Sequence, residues 1–306
     1  MPYKNHADQL ASDRRYKIKR RTEWLKKQDG LQSPVANQYA RRIGTVLDLQ
    51  IPTPKHGLKI AVLPDAQVMP GVAMDHLGWY GQFIAEKKPD VIVCIGDFGD
   101  FPSLSVFGRG ERDFAEHRYS KDIAAWHEGM QQFLGPIESE KARDKTWRPH
   151  MEFFEGNHES HLDRITQQHP FLEGTIDKAD LCLPEYGWRV HPFLQPAAIG
   201  GVAFCHYFPS GVMGRPITSA PQILAKLHMS AFAGHLQGRE IAYSRRADGS
   251  NMTAIISGSF YQHTYKYLSP FTNAHWRGAW FLHEVHDGQF DEMALSLNYL
   301  QRRYGK

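Results

Sequence analysis

Several short apolar segments of strand character end in side chains that can bind metals, and this arrangement limits the folds open to the chain. Strands that lie side by side in a sheet bring their carboxyl ends to one edge, so ligands that follow different strands can converge on one spot. Four of the five segments follow an apolar run. The segments are LPDAQ with Asp65, CIGDFGD with Asp97, EGNHE with Asn157 and His158, FCHYF with His206, and AGHLQ with His235.

The order of the predicted elements indicates the fold class. LKIAVLP (58–64) and DVIVCIGD (90–97) have the pattern of buried strands, and residues 72–88 between them have the apolar spacing of a helix. This order predicts a βαβ unit with parallel strands. Later segments are mainly strands, with hairpins predicted around ADGS (247–250) and Asp287-Gly288. The chain is therefore predicted to be α/β, and the order suits two packed sheets with helices outside them.

The remaining segments have weaker patterns. A helix is expected at 119–138 and a charged connection at 139–149, whereas 102–118 has the Gly and charge content of a long loop. A further helix is expected from Glu159 to about residue 168. Residues 170–198, which include Pro184, Pro192 and Pro196, are expected to be irregular.

A basic extension is predicted to precede the main domain. Residues 1–50 form a mostly helical N-terminal extension in this interpretation, and residues 51–306 form the domain, which begins at the Pro-rich joint IPTPKHG (51–57). Residues 1–45 hold eleven Lys and Arg against four acids, whereas the rest of the chain holds 25 against 29. The run RRYKIKRR (14–21) is either an arm that meets phosphate backbones or a solvated lead-in.

At the five segments that end in possible metal ligands, the chain resembles the calcineurin-like metallophosphoesterases. The family pattern is D-x-H, G-D-x-x-D, G-N-H-E, a lone His, and G-H-x-H. The resemblance covers about residues 58–283 and implies a four-layer αββα sandwich of two mixed β-sheets flanked by helices. In this chain the pattern stands as Asp65-Ala66-Gln67, Gly96-Asp97-Phe98-Gly99-Asp100, Gly156-Asn157-His158-Glu159, His206, and Gly234-His235-Leu236-Gln237.

The resemblance implies two divalent ions. Asp65 would bind the first ion alone, and Asp97 would bridge both, since a carboxylate can span cations about 3.5–4 Å apart. The second ion would be completed by Asn157, His206 and His235. Taken alone, each of these histidines would more often be an ordinary packed residue, and their positions after apolar strand runs favour the ligand role.

Two positions depart from the family pattern. Gln67 and Gln237 stand where the family has histidines that bind the first ion. A first site made of carboxylate and amide oxygens favours Mn²⁺, Mg²⁺ or Ca²⁺ over Zn²⁺. We expect a weak first site that prefers Mn²⁺, with Mg²⁺, Fe²⁺ or Zn²⁺ as alternatives for the centre. The other interpretation is that the first site is lost, leaving one ion or none.

The resemblance also implies a general acid. His158 would protonate the leaving oxygen without binding metal, and Asp100 would be the carboxylate that orients it and raises its pKa. Candidate phosphate-binding residues are Arg109 in the loop FGRG, together with His161 and Arg164, which lie three apart on one helix face. Surface charge is the alternative role for these three.

Aromatic residues are frequent in the last third of the chain. They form either a stacking wall for bases or a second core layer, with Tyr261 and His263 as candidates for the edge of the site. The residues are Tyr207, Phe208, Tyr261, Tyr265, Tyr267, Trp276 and Trp280.

These patterns together predict an enzyme that hydrolyses phosphoesters with metal ions. A phosphodiesterase acting on nucleic acid or nucleotides is the leading hypothesis, and a phosphomonoesterase is the runner-up. A non-catalytic binding module on a degraded phosphoesterase fold is a third possibility, since a fold alone does not confer activity. The N-terminus lacks an apolar signal segment and no stretch is long enough to span a membrane, so a cytoplasmic protein without membrane partners is expected. The sequence leaves the oligomeric state open.

Overall fold

The computed structural model describes residues 40–43 (backbone), 46–105, 117–265, 269 and 273–305, together with Lys19 and Glu23. The strands are β1 (Ala40–Ile43), β2 (Val46–Leu49), β3 (Leu58–Leu63), β4 (Val91–Cys94), β5 (His150–Phe154), β6 (Arg189–His191), β7 (Ala197–Ile199), β8 (Val202–Cys205), β9 (Pro209–Ser210), β10 (Arg215–Pro216), β11 (Ala231–Ala233), β12 (Arg239–Arg245), β13 (Asn251–Ser257), β14 (Gly278–His286) and β15 (Gln289–Ser296). The α-helices are α1 (Asp75–Lys87), α2 (Tyr119–Arg143), α3 (Asn157–Gln168), α4 (Ala220–Leu227) and α5 (Leu297–Tyr304).

A six-stranded mixed sheet combines β3 to β6 with the hairpin of β14 and β15. Its order is β15-β14-β3-β4-β5-β6. Strands β3 to β6 run parallel, while β14 pairs antiparallel with both β3 and β15. The central strands are buried on both faces, which explains why LKIAVL and VIVC are almost continuously apolar. The predicted βαβ unit of β3, α1 and β4 is confirmed.

A seven-stranded mixed sheet carries most of the remaining strands, in the order β1-β2-β7-β8-β11-β13-β12. Strands β8, β11 and β13 run parallel, and β12 pairs antiparallel with β13 as the predicted hairpin around ADGS. The second predicted hairpin, around Asp287-Gly288, is formed by β14 and β15 in the other sheet.

The two sheets pack face to face. One buried cluster joins Ile60, Val62 and Val93 of the six-stranded sheet to Phe204 and Ile255 of the seven-stranded sheet. A second cluster lies between the six-stranded sheet and helices α1, α2 and α5. A third lies between the seven-stranded sheet and α4. The layers are therefore helices, sheet, sheet and helix, so the predicted α/β class with two mixed sheets is confirmed.

The predicted start of the domain at residue 51 is wrong. Strand β2 pairs in parallel with β7 inside the seven-stranded sheet, and β1 pairs with β2. The sheet therefore begins by residue 40, before the Pro-rich joint. Most of the predicted helical extension lies outside the described residues.

Other boundaries also differ from the sequence prediction. Helix α2 continues through Pro136 to Arg143, so the first part of the expected charged connection is helical. Residues 170–198, expected to be irregular, contain β6, the start of β7 and short 3₁₀ helices at Pro170–Leu172 and Lys178–Leu181. These strands have only three residues each, too few for a clear period-two pattern.

Among the described residues, no helix combines the length and the apolar content required to cross a membrane.

Candidate metal centre

The proposed ligands follow parallel strands of both sheets. In the six-stranded sheet, β3, β4 and β5 lead into Asp65, Asp97 and Asn157 respectively. In the seven-stranded sheet, β8 and β11 lead into His206 and His235. The sequence predicted convergence at one sheet edge, and the structure brings together the carboxyl ends of strands from two facing sheets.

Asn157, His206 and His235 meet at one point. The Asn157 Oδ1 atom lies 3.1 Å from His206 Nε2 and 2.8 Å from His235 Nδ1. Asp97 Oδ2 lies 3.2 Å from His206 Nε2. One ligand atom each from Asp97, His206 and His235 lies within 4.8 Å of the others. Nitrogen and oxygen donors therefore surround a single small volume.

The tautomer of His206 explains why this volume fits a cation. His206 is fully buried, and its Nδ1 lies 2.9 Å from the carbonyl oxygen of Ile95, which can only accept a hydrogen bond. Nδ1 therefore carries a proton, and the Nε2 lone pair of the neutral ring faces two oxygen acceptors. A proton or a divalent ion must lie among these atoms. This donor set, two imidazoles, a carboxylate and an amide oxygen, suits Mn²⁺, Fe²⁺ or Zn²⁺.

The charges of the centre follow from its burial. Burial lowers the pKa of His206, but Asp97 outweighs this and raises that pKa to about 9. Burial would raise the pKa of Asp97, yet His206 and His158 hold it well below its usual range. Burial lowers the pKa of His235 to about 4, so this ring is neutral and free to act as a ligand at neutral pH.

The side of the centre near Asp65 is built differently. Asp65 is fully buried and accepts hydrogen bonds from the His235 amide at 3.1 Å and from Gln237 Nε2 at 3.2 Å. Burial raises the pKa of Asp65 to about 7. Gln237 thus turns its nitrogen to the carboxylate, and its buried Oε1 has no hydrogen-bond partner among the described residues. Gln67 Oε1 accepts from the Tyr265 hydroxyl at 2.9 Å.

Three of the proposed ligands have left-handed backbone conformations. The φ angles are 44° at Gln67, 49° at Asp97 and 65° at His235. Non-glycine residues seldom adopt such angles, and each costs on the order of 1–3 kcal/mol. Strain of this kind collects at functional sites, and no pattern in the sequence would have predicted it at these positions.

Glu159 holds the loops that follow β4 and β5 through backbone hydrogen bonds. Its buried carboxylate accepts backbone hydrogen bonds from Asp97 at 2.9 Å, Phe98 at 3.0 Å, Gly99 at 3.3 Å and Gly156 at 2.8 Å. The sequence predicted that a helix begins near Glu159. The residue caps α3, and it also holds the loop that carries Asp97.

His158 and Asp100 lie together, as the resemblance implied. His158 Nδ1 is 2.7 Å from the Asp100 carbonyl oxygen and 3.3 Å from its carboxylate. Nδ1 therefore carries a proton that is donated to Asp100, and Nε2 remains for another partner, 3.8 Å from Asp97 Oδ2. Burial would lower the pKa of His158, but Asp97 and Asp100 raise it to about 9. The ring is a cation at neutral pH and can donate a proton from Nε2.

The candidate phosphate-binding residues differ in their positions. The His161 ring stacks beside that of His158, with centroids 5.4 Å apart, so it lies next to the centre. Arg164 is exposed one turn further along α3. Arg109 lies outside the described residues, as does Tyr267.

The aromatic residues divide into core and site. Phe208, Tyr261 and Trp280 are buried, so Tyr261 is not an accessible edge of the site. His263 stacks on Tyr261 with centroids 4.5 Å apart. Tyr207 is half-buried and packs against His235, one of the proposed ligands, with centroids 4.8 Å apart.

Comparison with known proteins adds little to this picture. The sequence matches no family model and no curated protein. One solved structure that the chain resembles is 12% identical, with a TM-score of 0.36, over 78% of this chain and 99% of that chain.

Proposed function

We propose that this chain is a metal-dependent phosphoesterase of the calcineurin-like kind. The observation that carries the proposal is the meeting of Asn157, His206 and His235 beside Asp97, with the His158–Asp100 pair next to them. A carboxylate, an amide and two imidazoles suit a divalent ion, and the adjoining imidazolium suits a general acid. The order of layers in the fold is compatible with the sandwich that this family has.

Two ions are proposed, with unequal affinities. The tighter one would be held by Asp97, Asn157, His206 and His235, whose donor atoms already converge. The weaker one would be held by Asp65 and Asp97 with the amide oxygens of Gln67 and Gln237. The Gln237 amide currently donates to Asp65, so its oxygen must turn toward an ion, which weakens this site. Mn²⁺ is the proposed ion at both.

The residues divide the chemistry between them. Divalent ions bound here would activate a water and offset the charge of the phosphoryl oxygens. His158 Nε2 would donate its proton to the leaving oxygen, because Nδ1 is already committed to Asp100. His161, whose ring lies beside His158, would face the phosphoryl group from α3. Glu159 keeps Asp97 in place through the backbone.

A phosphodiester of a nucleotide or nucleic acid is the proposed substrate class. The half-buried ring of Tyr207 packs on the ligand His235, and Phe193 packs edge-on against Tyr207 with centroids 5.6 Å apart. Aromatic faces beside a phosphoester site can stack a base, and such stacking contributes about 1–3 kcal/mol per base.

Turnover of two model substrates tests this proposal. With Mn²⁺ present, the protein should hydrolyse bis-p-nitrophenyl phosphate faster than p-nitrophenyl phosphate. His158→Asn should lower kcat for the diester by about 10²–10⁴-fold, the usual contribution of a general acid. His169→Asn, at the far end of the same helix, is the matched control and should leave kcat unchanged.

The other outcomes point to other functions. A strong preference for the monoester would overturn the diester proposal and support a phosphomonoesterase. Turnover of neither substrate in the presence of Mn²⁺ would overturn the enzymatic proposal. The donation from Gln237 to Asp65 would then support a binding module built on the same fold.

A further inference from the structure

Tyr265 reaches the metal centre from a part of the chain that the motifs do not include. Its hydroxyl donates to Gln67 Oε1 at 2.9 Å, across 198 positions of sequence. The Asp100 carboxylate, which is the partner of His158, is a second acceptor beside the same hydroxyl. One phenol therefore joins a ligand of the proposed weaker ion to the pair that supplies the general acid.

The loop that carries Tyr265 is fixed by two side chains of the segment 273–277. The Asn273 amide bonds both backbone groups of Tyr265, accepting from its N–H at 3.1 Å and donating to its C=O at 3.0 Å. Arg277 donates to the carbonyl oxygens of Tyr261 at 3.3 Å and His263 at 2.6 Å. Side chains of this segment therefore bind the backbone at Tyr261, His263 and Tyr265.

The ring of Tyr265 is held as well as its backbone. It packs edge-on against Tyr261 with centroids 5.6 Å apart and against His263 with centroids 4.9 Å apart. Tyr261 is itself buried and lies under the Arg277 guanidinium at 4.5 Å. A side chain fixed at both the backbone and the ring can hold its hydroxyl in one place at little further entropic cost.

We propose that Tyr265 is a positioning residue of the metal centre, which sets the Gln67 amide and the Asp100 carboxylate in one arrangement. Gln67 has a flexible side chain where the family has an imidazole, so its oxygen needs an external support to face an ion. The Tyr265 hydroxyl occupies one lone pair of Gln67 Oε1 and leaves the other for the ion. This inference rests on the proposed function for its effect on catalysis.

Removal of the hydroxyl alone tests the inference. Tyr265→Phe keeps the ring packing and should weaken the lower-affinity Mn²⁺ ion about tenfold in a calorimetric titration, the usual effect of one lost buried hydrogen bond. The tighter ion should change less than twofold, because Asn157, His206 and His235 converge without the help of Gln67. At saturating Mn²⁺, kcat for the diester should fall while KM stays the same, since Asp100 loses the polar hydroxyl beside its carboxylate.

Tyr243→Phe is the matched control. Tyr243 is 67% exposed on the edge strand β12, where its hydroxyl bonds Glu292. This variant should keep both Mn²⁺ affinities and kcat. A second variant, Asn273→Ala, frees the backbone of Tyr265 and should weaken the same ion in the same direction.

Other results of these experiments would contradict the role proposed for Tyr265. Unchanged Mn²⁺ binding and kcat in Tyr265→Phe would overturn the inference, and so would equal weakening of both ions with a lower melting temperature, which would indicate a purely structural role. If the unsubstituted protein hydrolyses neither substrate, the proposed function fails. The titration of the weaker ion would still decide the role of Tyr265.

Discussion

Gly234 lies so close to Asp65 that the centre leaves no space for a side chain. A Cβ atom built there would be 2.6 Å from Asp65 Oδ1 and 2.9 Å from Ile95 Cγ2. Asp65 is fully buried, so it cannot move aside into solvent. Gly238, four residues later, would meet nothing within 4 Å. Neither glycine has a left-handed φ, so the two positions differ in space alone.

Gly234→Ala should therefore weaken the fold and the centre together. The added methyl overlaps Asp65, and overpacking of this kind costs about 1–3 kcal/mol in the free energy of unfolding. Urea unfolding measures that cost, and a Mn²⁺ titration measures the accompanying loss of affinity. Gly238→Ala, the matched control, should change neither. Equal stability of the two variants would show that Asp65 is not held against Gly234.

At the residue scale, the sequence predicted which residues lie together better than it predicted how their side chains are oriented. The motifs identified Asp97, Asn157, His206 and His235 because each follows a strand, and parallel strands place such residues together. They could not predict that Gln237 would turn its nitrogen to Asp65, since an amide can face either way. Tyr265 was missed as a partner of Gln67 because no local pattern links residues so far apart.

At the element scale, the main error of the sequence prediction was to leave β1 and β2 out of the seven-stranded sheet. The Pro-rich segment after residue 50 resembles a linker, and the basic residues before it resemble a solvated arm. Strand β2 nevertheless pairs with β7, with Leu49 opposite Ile199. Pairing of this kind depends on a strand 150 residues away, and the composition of the segment does not predict it. Leu49 is 4% exposed within the cluster between the sheets.

Truncation of Leu49 tests the placement of β2. Leu49→Ala should lower the free energy of unfolding by about 2–5 kcal/mol, because it leaves a cavity between two packed sheets. Urea unfolding followed by circular dichroism measures the change. Gln50→Ala, at the next and exposed position, should lie within about 0.5 kcal/mol of the unsubstituted protein. A Leu49 variant as stable as the Gln50 variant would place β2 outside the core.

At the scale of the whole molecule, the centre joins the two sheets. The six-stranded sheet supplies Asp65, Asp97 and Asn157, and the seven-stranded sheet supplies His206 and His235. Their relative position depends on the apolar cluster between the sheets, in which Trp280 of β14 packs against Phe232 of β11 with centroids 5.9 Å apart. The sequence predicted two packed sheets with helices outside them. It did not predict how the two sheets are aligned, and this alignment lets the proposed ligands from different sheets meet.

The number of Mn²⁺ ions bound by the purified protein tests the central claim most directly. A titration of metal-free protein should reach two ions at saturation with unequal affinities, and His206→Ala should abolish the tighter one. Saturation at one ion that His206→Ala removes would contradict the two-ion centre. Binding of no ion, or binding that His206→Ala leaves unchanged, would contradict the account of this site altogether.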